Sequence, residues 1–493
     1  LMKKKALALS VLAAVSSQVG AFQFDTGDDW NIRWDNTIKG NLITRVGAVK
    51  GQVVNPSRAG AAAAISDDSD YSVNRKNGGI ASSRVDLRSE LDVVWRQDFG
   101  FRISGSGWYD AAYDDADNPT SGTLPRSGGV PYDGTWAGLT YKPGDYSNEA
   151  KDLHYAGGEL LDAFVFGNWQ IGETALGVRL GQHTIYWGQS LLGNGAVTGI
   201  AFSMAALDSG KGLSVPGTEA QELFIPSGKL SSTWQLTDNL ALSGYYEYDH
   251  RINRNPETGT FFSPRDVLTD NSECFPLAAG TADTRRTCFK VRDDKIKDSG
   301  EFGFNLQYTI EPWNLETSWV YIKGSDRMVA GVYGTLGGIT PEQAARFAKP
   351  WDEGGANATV FGEWGWVYKK DIETFGISLA KEMFDISFGM DIVYRKDGAL
   401  NPDFTSSLTR AFAGGTPADY SPDPDDYPGA TGNFYGVVVN GLGFLNGDWG
   451  LWDGGSWIVE YTASWLDKFK KNEQFADPDM HAGRVTTQTG AVF

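Results

Sequence analysis

Several things are scarce in these 493 residues, and each scarcity excludes something. There are two cysteines, Cys274 and Cys288, and four histidines, His154, His183, His250 and His481. A zinc scaffold or a densely cross-linked secreted module needs more of both. Basic residues are outnumbered, 43 Lys and Arg against 62 Asp and Glu for a net charge of −19, which argues against a nucleic-acid binder and its basic patches. No apolar run reaches the roughly 20 residues that a membrane helix needs. The longest, ALALSVLAAV, follows Lys3, Lys4 and Lys5 and precedes Val19-Gly20-Ala21, the pattern of a secretory signal peptide over residues 1–21. Its removal takes away three lysines and no acid, moving the net charge from −19 to −22. Any membrane span must therefore be built of strands.

What is abundant agrees. The chain carries 61 Gly, 17 Trp, 20 Tyr and 26 Phe at a mean hydropathy of −0.33. A soluble secreted β-protein fits this balance, and so does an outer-membrane barrel, whose apolar residues are diluted by a polar interior. In an oxidising compartment Cys274 and Cys288 are expected to close a small disulfide loop, with two free thiols as the alternative.

Period-two alternation runs from end to end. In EFGFNLQYTI, Phe302, Phe304, Leu306, Tyr308 and Ile310 share one face, opposite Glu301, Gly303, Asn305, Gln307 and Thr309. In DISFGMDIVYR, Ile386, Phe388, Met390, Ile392 and Tyr394 oppose Asp385, Ser387, Gly389, Asp391 and Val393. In RVDLRSELDVVWR, Val85, Leu87, Leu91, Val93 and Trp95 oppose Arg84, Asp86, Arg88, Glu90 and Asp92. Strand pairs joined by tight turns (QDFG, GETA, TDN, EPWN) alternate with long polar stretches at 114–158, 188–228, 251–299, 325–371 and 397–431. Short turns at one end and long loops at the other are the signature of an up-and-down transmembrane barrel. Trp30, Trp34, Trp95, Phe99, Trp187, Trp234, Trp313, Trp319, Trp457 and Trp465 lie near strand ends, where interfacial girdles form. The reading is an all-β, antiparallel transmembrane β-barrel over 22–493, a single domain. About fourteen strands run from 31–46 to 483–493, or sixteen to eighteen if the chain is cut short.

The stretch GVRLGQHTIYWGQSLLGNG, Gly177 to Gly195, has glycines, a histidine and a serine that could serve a phosphate site or a hydrolase. A phosphate loop needs a following helix with Lys and Ser or Thr, which is absent. A hydrolase pair of His183 and Ser190 would sit seven positions apart along one strand, too far for contact. Alternation instead turns Leu176, Val178 and Leu180 toward lipid and Arg179, Gly181 and His183 into the lumen. The segment 188–228, with apolar pieces GIAFSMAAL and GTEAQELF, is expected to fold inward as a constriction. Its lining residues are expected to be Arg179, His183, Trp187, Gln189, Glu219 and Glu222.

This stretch, with Val215 to His250, Gly259 to Leu268 and Val367 to Leu379, resembles a proteobacterial outer-membrane family bearing the domain of unknown function numbered 1302. The Trp-Gly-Glu-Ser pattern is altered here to Trp187-Gly188-Gln189-Ser190, and Gly-Arg-Gln to Gly181-Gln182-His183. Pro216-Gly217-Thr218-Glu219 and Trp234-Gln235-Leu236-Thr237 are intact. The resemblance implies a barrel in the lipids and lipopolysaccharide of the outer membrane. It implies as partners a periplasmic protein similar to lipoprotein carriers and an inner-membrane transporter of the resistance-nodulation-division type. It also implies a role moving small hydrophobic or amphipathic molecules. A general porin for polar solutes and an adhesive barrel acting through its acidic loops are the alternatives. No enzymatic activity and no cofactor are expected. The acidic clusters 66–70, 114–118 (Asp114, Asp115, Asp117) and 421–427 match no complete calcium loop and are expected to hold Ca²⁺ loosely at most. TPEQAARFAK, 340–349, carries the cap pattern of a short helix.

Overall fold

Alternating apolar and polar side chains make each strand two-faced, and a two-faced strand is stable only when its neighbours repeat the same choice of face. The computed structural model describes residues 13–24, 26–44, 79–114, 146, 148–192, 198–216, 218, 220–257, 260–263, 275–276, 286–291, 299–328, 331–336, 358–400, 427, 429–446, 454–476 and 479–492. Fifteen strands form one sheet: β1 (Ala13–Phe24), β2 (Trp30–Thr44), β3 (Ile80–Trp95), β4 (Phe99–Asp110), β5 (Ala156–Ile171), β6 (Thr174–His183), β7 (Ser227–Thr237), β8 (Leu240–Asp249), β9 (Glu301–Ile310), β10 (Leu315–Gly324), β11 (Ile372–Met383), β12 (Ile386–Ala399), β13 (Thr431–Asn446), β14 (Gly454–Lys471) and β15 (Val485–Val492). Their spatial order is their chain order, and every pairing within the sheet is antiparallel. Among the described residues β1 and β15 are its two edges.

The strand count exceeds the expected fourteen by one. The extra strand is β1, whose first part, Ala13–Ala21, falls within the expected leader. It continues the pairing of Phe22 with Trp34 and Phe24 with Ile32 out to Ala13 opposite Leu42. A short apolar run beside an exposed strand edge satisfies that edge's backbone groups whatever its role in export. A second, smaller sheet of Phe275–Pro276, Arg286–Val291, Gly331–Leu336 and Ala358–Val367 stands where the alternation predicts only loop. Cys274 lies outside the described residues, and of Cys288 only its place in Arg286–Val291 is described. Residues 66–70, 115–118 and 340–349 also lie outside.

The tight joins fall at one end: Arg96–Asp98, Gly172–Glu173, Asp238–Asn239, Glu311–Asn314 and Phe384–Asp385. Arg96 and Gln97 (φ 52° and 64°) and Phe384 and Asp385 (φ 57° and 60°) are left-handed, the turn geometry that matches strand twist. The long connections fall at the other end.

The two faces are sorted the reverse way from a water-soluble sheet. One face presents Trp34, Ile38, Val85, Leu87, Ile103, Val165, Leu180, Leu242, Phe304, Leu306, Phe375, Ile377, Ile392, Val439 and Tyr461, all exposed. The other buries Arg84, Asp86, Lys229, Glu247, Glu301, Asp391, Arg395 and Glu460. A band of exposed large apolar groups crossing the sheet far exceeds the scattered patches that soluble monomers tolerate.

Candidate functional site

The buried face is where a site can form, because the segment after β6 lies against it. Strand β6 ends at His183, where Gly181 takes φ +133°. A Cβ at Gly181 would stand 2.6 Å from the Phe164 Cα of β5, so this glycine answers a close backbone approach and not a need for open space. His183 itself is buried. Its Nδ1 lies 3.0 Å from Gly181 O and its Nε2 2.7 Å from Ser231 Oγ of β7, with the Phe164 ring 5.4 Å away. It is a strut between strands, whereas Arg179, stacked over Phe164 at 5.6 Å, stays exposed on the inner face.

Beyond His183 the chain crosses to the far strands. Trp187 is buried against Tyr245 of β8 at 5.4 Å between ring centres, in a cluster with Ile200, Met204, Val320, Ile322 and Val393. Gly188 turns with φ +101°, and a Cβ there would lie 2.7 Å from Asp391 Oδ2. Gln189 N–H then donates to both Asp391 oxygens of β12, at 2.9 and 3.0 Å, and Asn440 Nδ2 of β13 donates to Gln189 O. Leu191 N–H and Leu192 N–H donate to Glu460 of β14, at 2.6 and 3.2 Å. Further on, Ser203 Oγ accepts from Arg395 Nη2 of β12 at 2.6 Å and meets Thr374 Oγ1 of β11 at 3.1 Å. Glu222 reaches the opposite side, pairing with Lys39 of β2 at 2.6 Å. Contacts to β2, β8, β11, β12, β13 and β14 from one stretch of chain mean that the sheet curves around it. Glu219, the remaining expected lining residue, lies outside the described residues.

The wall is shaped for this segment. A Cβ on Gly303 would strike Trp187 at 3.1 Å, on Gly376 Ile200 at 2.7 Å, on Gly389 Gln189 at 2.8 Å, on Gly436 the Thr198 carbonyl at 2.6 Å, and on Gly490 Leu192 at 2.8 Å. Glycine inside a strand marks close approach of another part of the chain, and here β9, β11, β12, β13 and β15 each supply one, four against side chains of this segment and one against the Thr198 backbone.

The other side of the inner face, β2 to β4, carries paired charge. Arg84 holds Asp86 through two nitrogens at 2.8–3.0 Å, Arg88 pairs with Glu90 at 2.9 Å, Arg102 with Asp92 at 2.6 and 2.8 Å, and Arg33 with Asp35 at 2.6 Å. Arg254 ties Glu159 of β5 at 2.5 Å to Asp208 at 3.4 Å. Asp208 caps the short helix Ser209–Ser214 by accepting from Lys211 N–H at 2.7 Å. A cavity of about 20 Å³, room for roughly one water, lies between Arg84, Trp108, His154, Glu159 and Lys211. His154 accepts from Glu257 N–H at 3.2 Å, and burial, with Arg84 adding to it, pushes its pKa down to about 3. Burial raises Asp326, in the segment after β10, to about 6 against the pull of Arg395.

Ser190 and His183 do not meet as a pair: Ser190 Oγ lies 2.9 Å from Tyr186 OH while His183 faces Ser231. The carboxylate of Asp114 accepts from Tyr109 OH at 2.6 and 2.7 Å and from Tyr155 OH at 3.0 Å, so its oxygens are already engaged. Sequence reasoning missed Asp391, Asn440 and Glu460. The available signal was a lone carboxylate within an apolar run, as in GMDIVY and WIVEYT.

These features define a class: all-β chains with one large, mostly antiparallel sheet, apolar outside and charged within. The chain belongs to the family described as "Protein of unknown function (DUF1302)", which matches residues 2–491. Among curated proteins no sequence matches. Solved structures similar to it include a loop-deletion mutant of OmpT, an outer membrane protein of Vibrio cholerae, at 9% identity and TM-score 0.25, covering 98% of each chain. The outer membrane channel DcaP of Acinetobacter baumannii is 10% identical with a TM-score of 0.29, covering 92% of this chain and 79% of that one. A mutant ferric enterobactin receptor of Pseudomonas aeruginosa is 11% identical with a TM-score of 0.37, covering 96% of this chain and 53% of the receptor.

Proposed function

We propose that the sheet closes into a barrel in the outer membrane and acts as a conduit narrowed by the described residues between β6 and β7, 184–192 and 198–204 foremost. The observation that carries this reading is the reversed sorting of faces, an exposed apolar band outside and carboxylate anchors gripping an inner segment. The cargo best suited to the ion-pair column on β2 to β4 is small, polar and charged or zwitterionic. Arg33, Arg88 and Arg102 with their acidic partners offer such a solute replacement for its hydration shell, while a hydrophobic one gains nothing from them. This favours the porin-like version over the hydrophobic or amphipathic cargo that the family resemblance implies. Export through a cleaved leader belongs to the same reading; cleavage after Ala21 would leave Phe22 and Phe24 of β1 still paired to β2.

Planar-bilayer conductance and liposome swelling with sugars and amino acids test it. The expected result is a small, stable salt conductance that Arg102→Ala and Arg88→Ala shift in ion selectivity. A folded, inserted protein that passes no salt or amino acid, yet equilibrates a hydrophobic dye between leaflets, would overturn the polar-cargo reading.

A further inference from the structure

At the loop end of β7, β8 and β9 the sheet register brings Lys229, Glu247 and Glu301 side by side: Glu247 pairs directly with Lys229 on one neighbour and Glu301 on the other. Two carboxylates facing each other across adjacent strands repel unless a cation is shared between them. Arg327, in the segment after β10, supplies one, with Nη2 3.0 Å from both Glu247 oxygens and 3.0 Å from Glu301 Oε2. Lys229 Nζ lies 3.3 Å from Glu247 Oε2. These side chains are 0–1% exposed, and so is that of His250, one residue past β8.

The ion pairs leave a remainder. Glu301 Oε1 and both ring nitrogens of His250 are buried without a hydrogen bond of acceptable geometry. Yet His250 Nδ1 stands 3.1 Å from Glu301 Oε1 and 3.6 Å from Glu247 Oε1. Three donors of metal-ligand type thus converge, with their ligating atoms within 4.8 Å of one another.

We propose that Glu247, His250 and Glu301 bind one divalent transition-metal ion of the zinc class. Bonds of roughly 2.0–2.2 Å from a single ion to imidazole nitrogen and carboxylate oxygen set ligand atoms about 3 to 4 Å apart, and the two imidazole–carboxylate separations here are 3.1 and 3.6 Å. Arg327 bonds both Glu247 oxygens and Glu301 Oε2, and Lys229 bonds Glu247 Oε2, so Glu301 Oε1 and the His250 imidazole are the donors left to the ion, with Glu247 Oε1 shared between it and Arg327. The two cations fix the carboxylates' orientation as outer-sphere partners do. The donor set decides the metal: one imidazole beside two carboxylates suits a borderline ion, whereas Ca²⁺ needs six to eight oxygen ligands that three side chains cannot supply. The ion would tie β8, β9 and the start of the following loop together beneath Arg327, at the end where the long connections gather.

The test uses the full chain in detergent micelles, stripped with chelator and titrated with Zn²⁺ by calorimetry. One saturable equivalent is expected, weakened in His250→Ala and in Glu301→Gln by at least the roughly 10- to 100-fold that losing an outer-shell partner costs, and unchanged in His481→Ala. Folding of each variant is checked by the shift of heated against unheated protein on a gel. Should a variant fail to fold, X-ray absorption of the Zn²⁺-loaded wild type decides. A first shell containing one imidazole nitrogen and carboxylate oxygens supports the site; an oxygen-only shell overturns it. Absence of a saturable equivalent in folded wild type, or equal affinity in wild type and both folded ligand variants, also overturns it.

Discussion

Replacing Asp391 and Glu460 together by alanine should release the inner segment while leaving the sheet intact. These carboxylates accept three backbone N–H groups, from Gln189, Leu191 and Leu192. A hydrogen bond to a charged acceptor contributes about 1.5–3 kcal/mol, and the three at the lower end sum to about 4.5 kcal/mol. At 1.4 kcal/mol per tenfold, that raises the population of the detached segment about 1,000-fold. The strand ladders of β12 and β14 are unchanged, because the substitutions remove side chains only. Backbone hydrogen exchange at residues 186–192 should accelerate by two to three orders of magnitude, and bilayer conductance should rise as the segment leaves the passage. Unchanged exchange with unchanged conductance would refute the anchoring argument, since it would mean that the segment is held by something other than these bonds.

Two further perturbations bear on the same region. Gly436→Ala places a Cβ 2.6 Å from the Thr198 carbonyl, a backbone atom that cannot rotate away; a loss of about 1–3 kcal/mol is expected, seen as a lower gel-shift temperature, whereas an alanine at the exposed Gly27 would not report on this contact. His154 has its folded pKa lowered from 6.5 to about 3. A group held neutral by the fold contributes its stability above pH 6.5, and that contribution is lost as pH falls toward 3. Protection factors at 148–155 and 254–257, the exchange rate taken against the intrinsic rate at each pH, should therefore fall on acidification, and His154→Gln should remove most of that pH dependence.

Much of the architecture is legible in the sequence because alternation is a local property. The column Arg84, Asp86, Arg88, Glu90, Asp92 lands on the face opposite Val85 and Leu87, and Glu301 and Asn305 land opposite Phe304 and Leu306, as the period of two requires. Tight turns and long connections also fall at opposite ends. The site is legible only as a location. An inward course after β6 is suggested by its apolar pieces, but its partners lie some 200 to 270 residues away, at Asp391 and Glu460, and single-chain periodicity carries no information on such pairs. His183 illustrates the difference: alternation places it on the inner face, yet whether it lines a passage or fills a gap depends on Phe164 and Ser231, on other strands. The wall glycines are visible as residues but not as a row, because the row exists only across strands. Strand β1 escapes sequence reasoning because the apolar run of a leader and that of an edge strand look alike.

The central claim is that one face of this sheet meets lipid and the other an aqueous passage. The most direct test is cysteine scanning along β3 in proteoliposomes, in a background with Cys274 and Cys288 replaced by serine. Cysteines at Arg88, Glu90 and Asp92 are predicted to react with a charged, membrane-impermeant thiol reagent, whereas those at Val85 and Leu87 stay unreactive and a fluorophore there is quenched by brominated lipid. Equal reactivity at both sets, or lipid quenching at Glu90, would contradict the account.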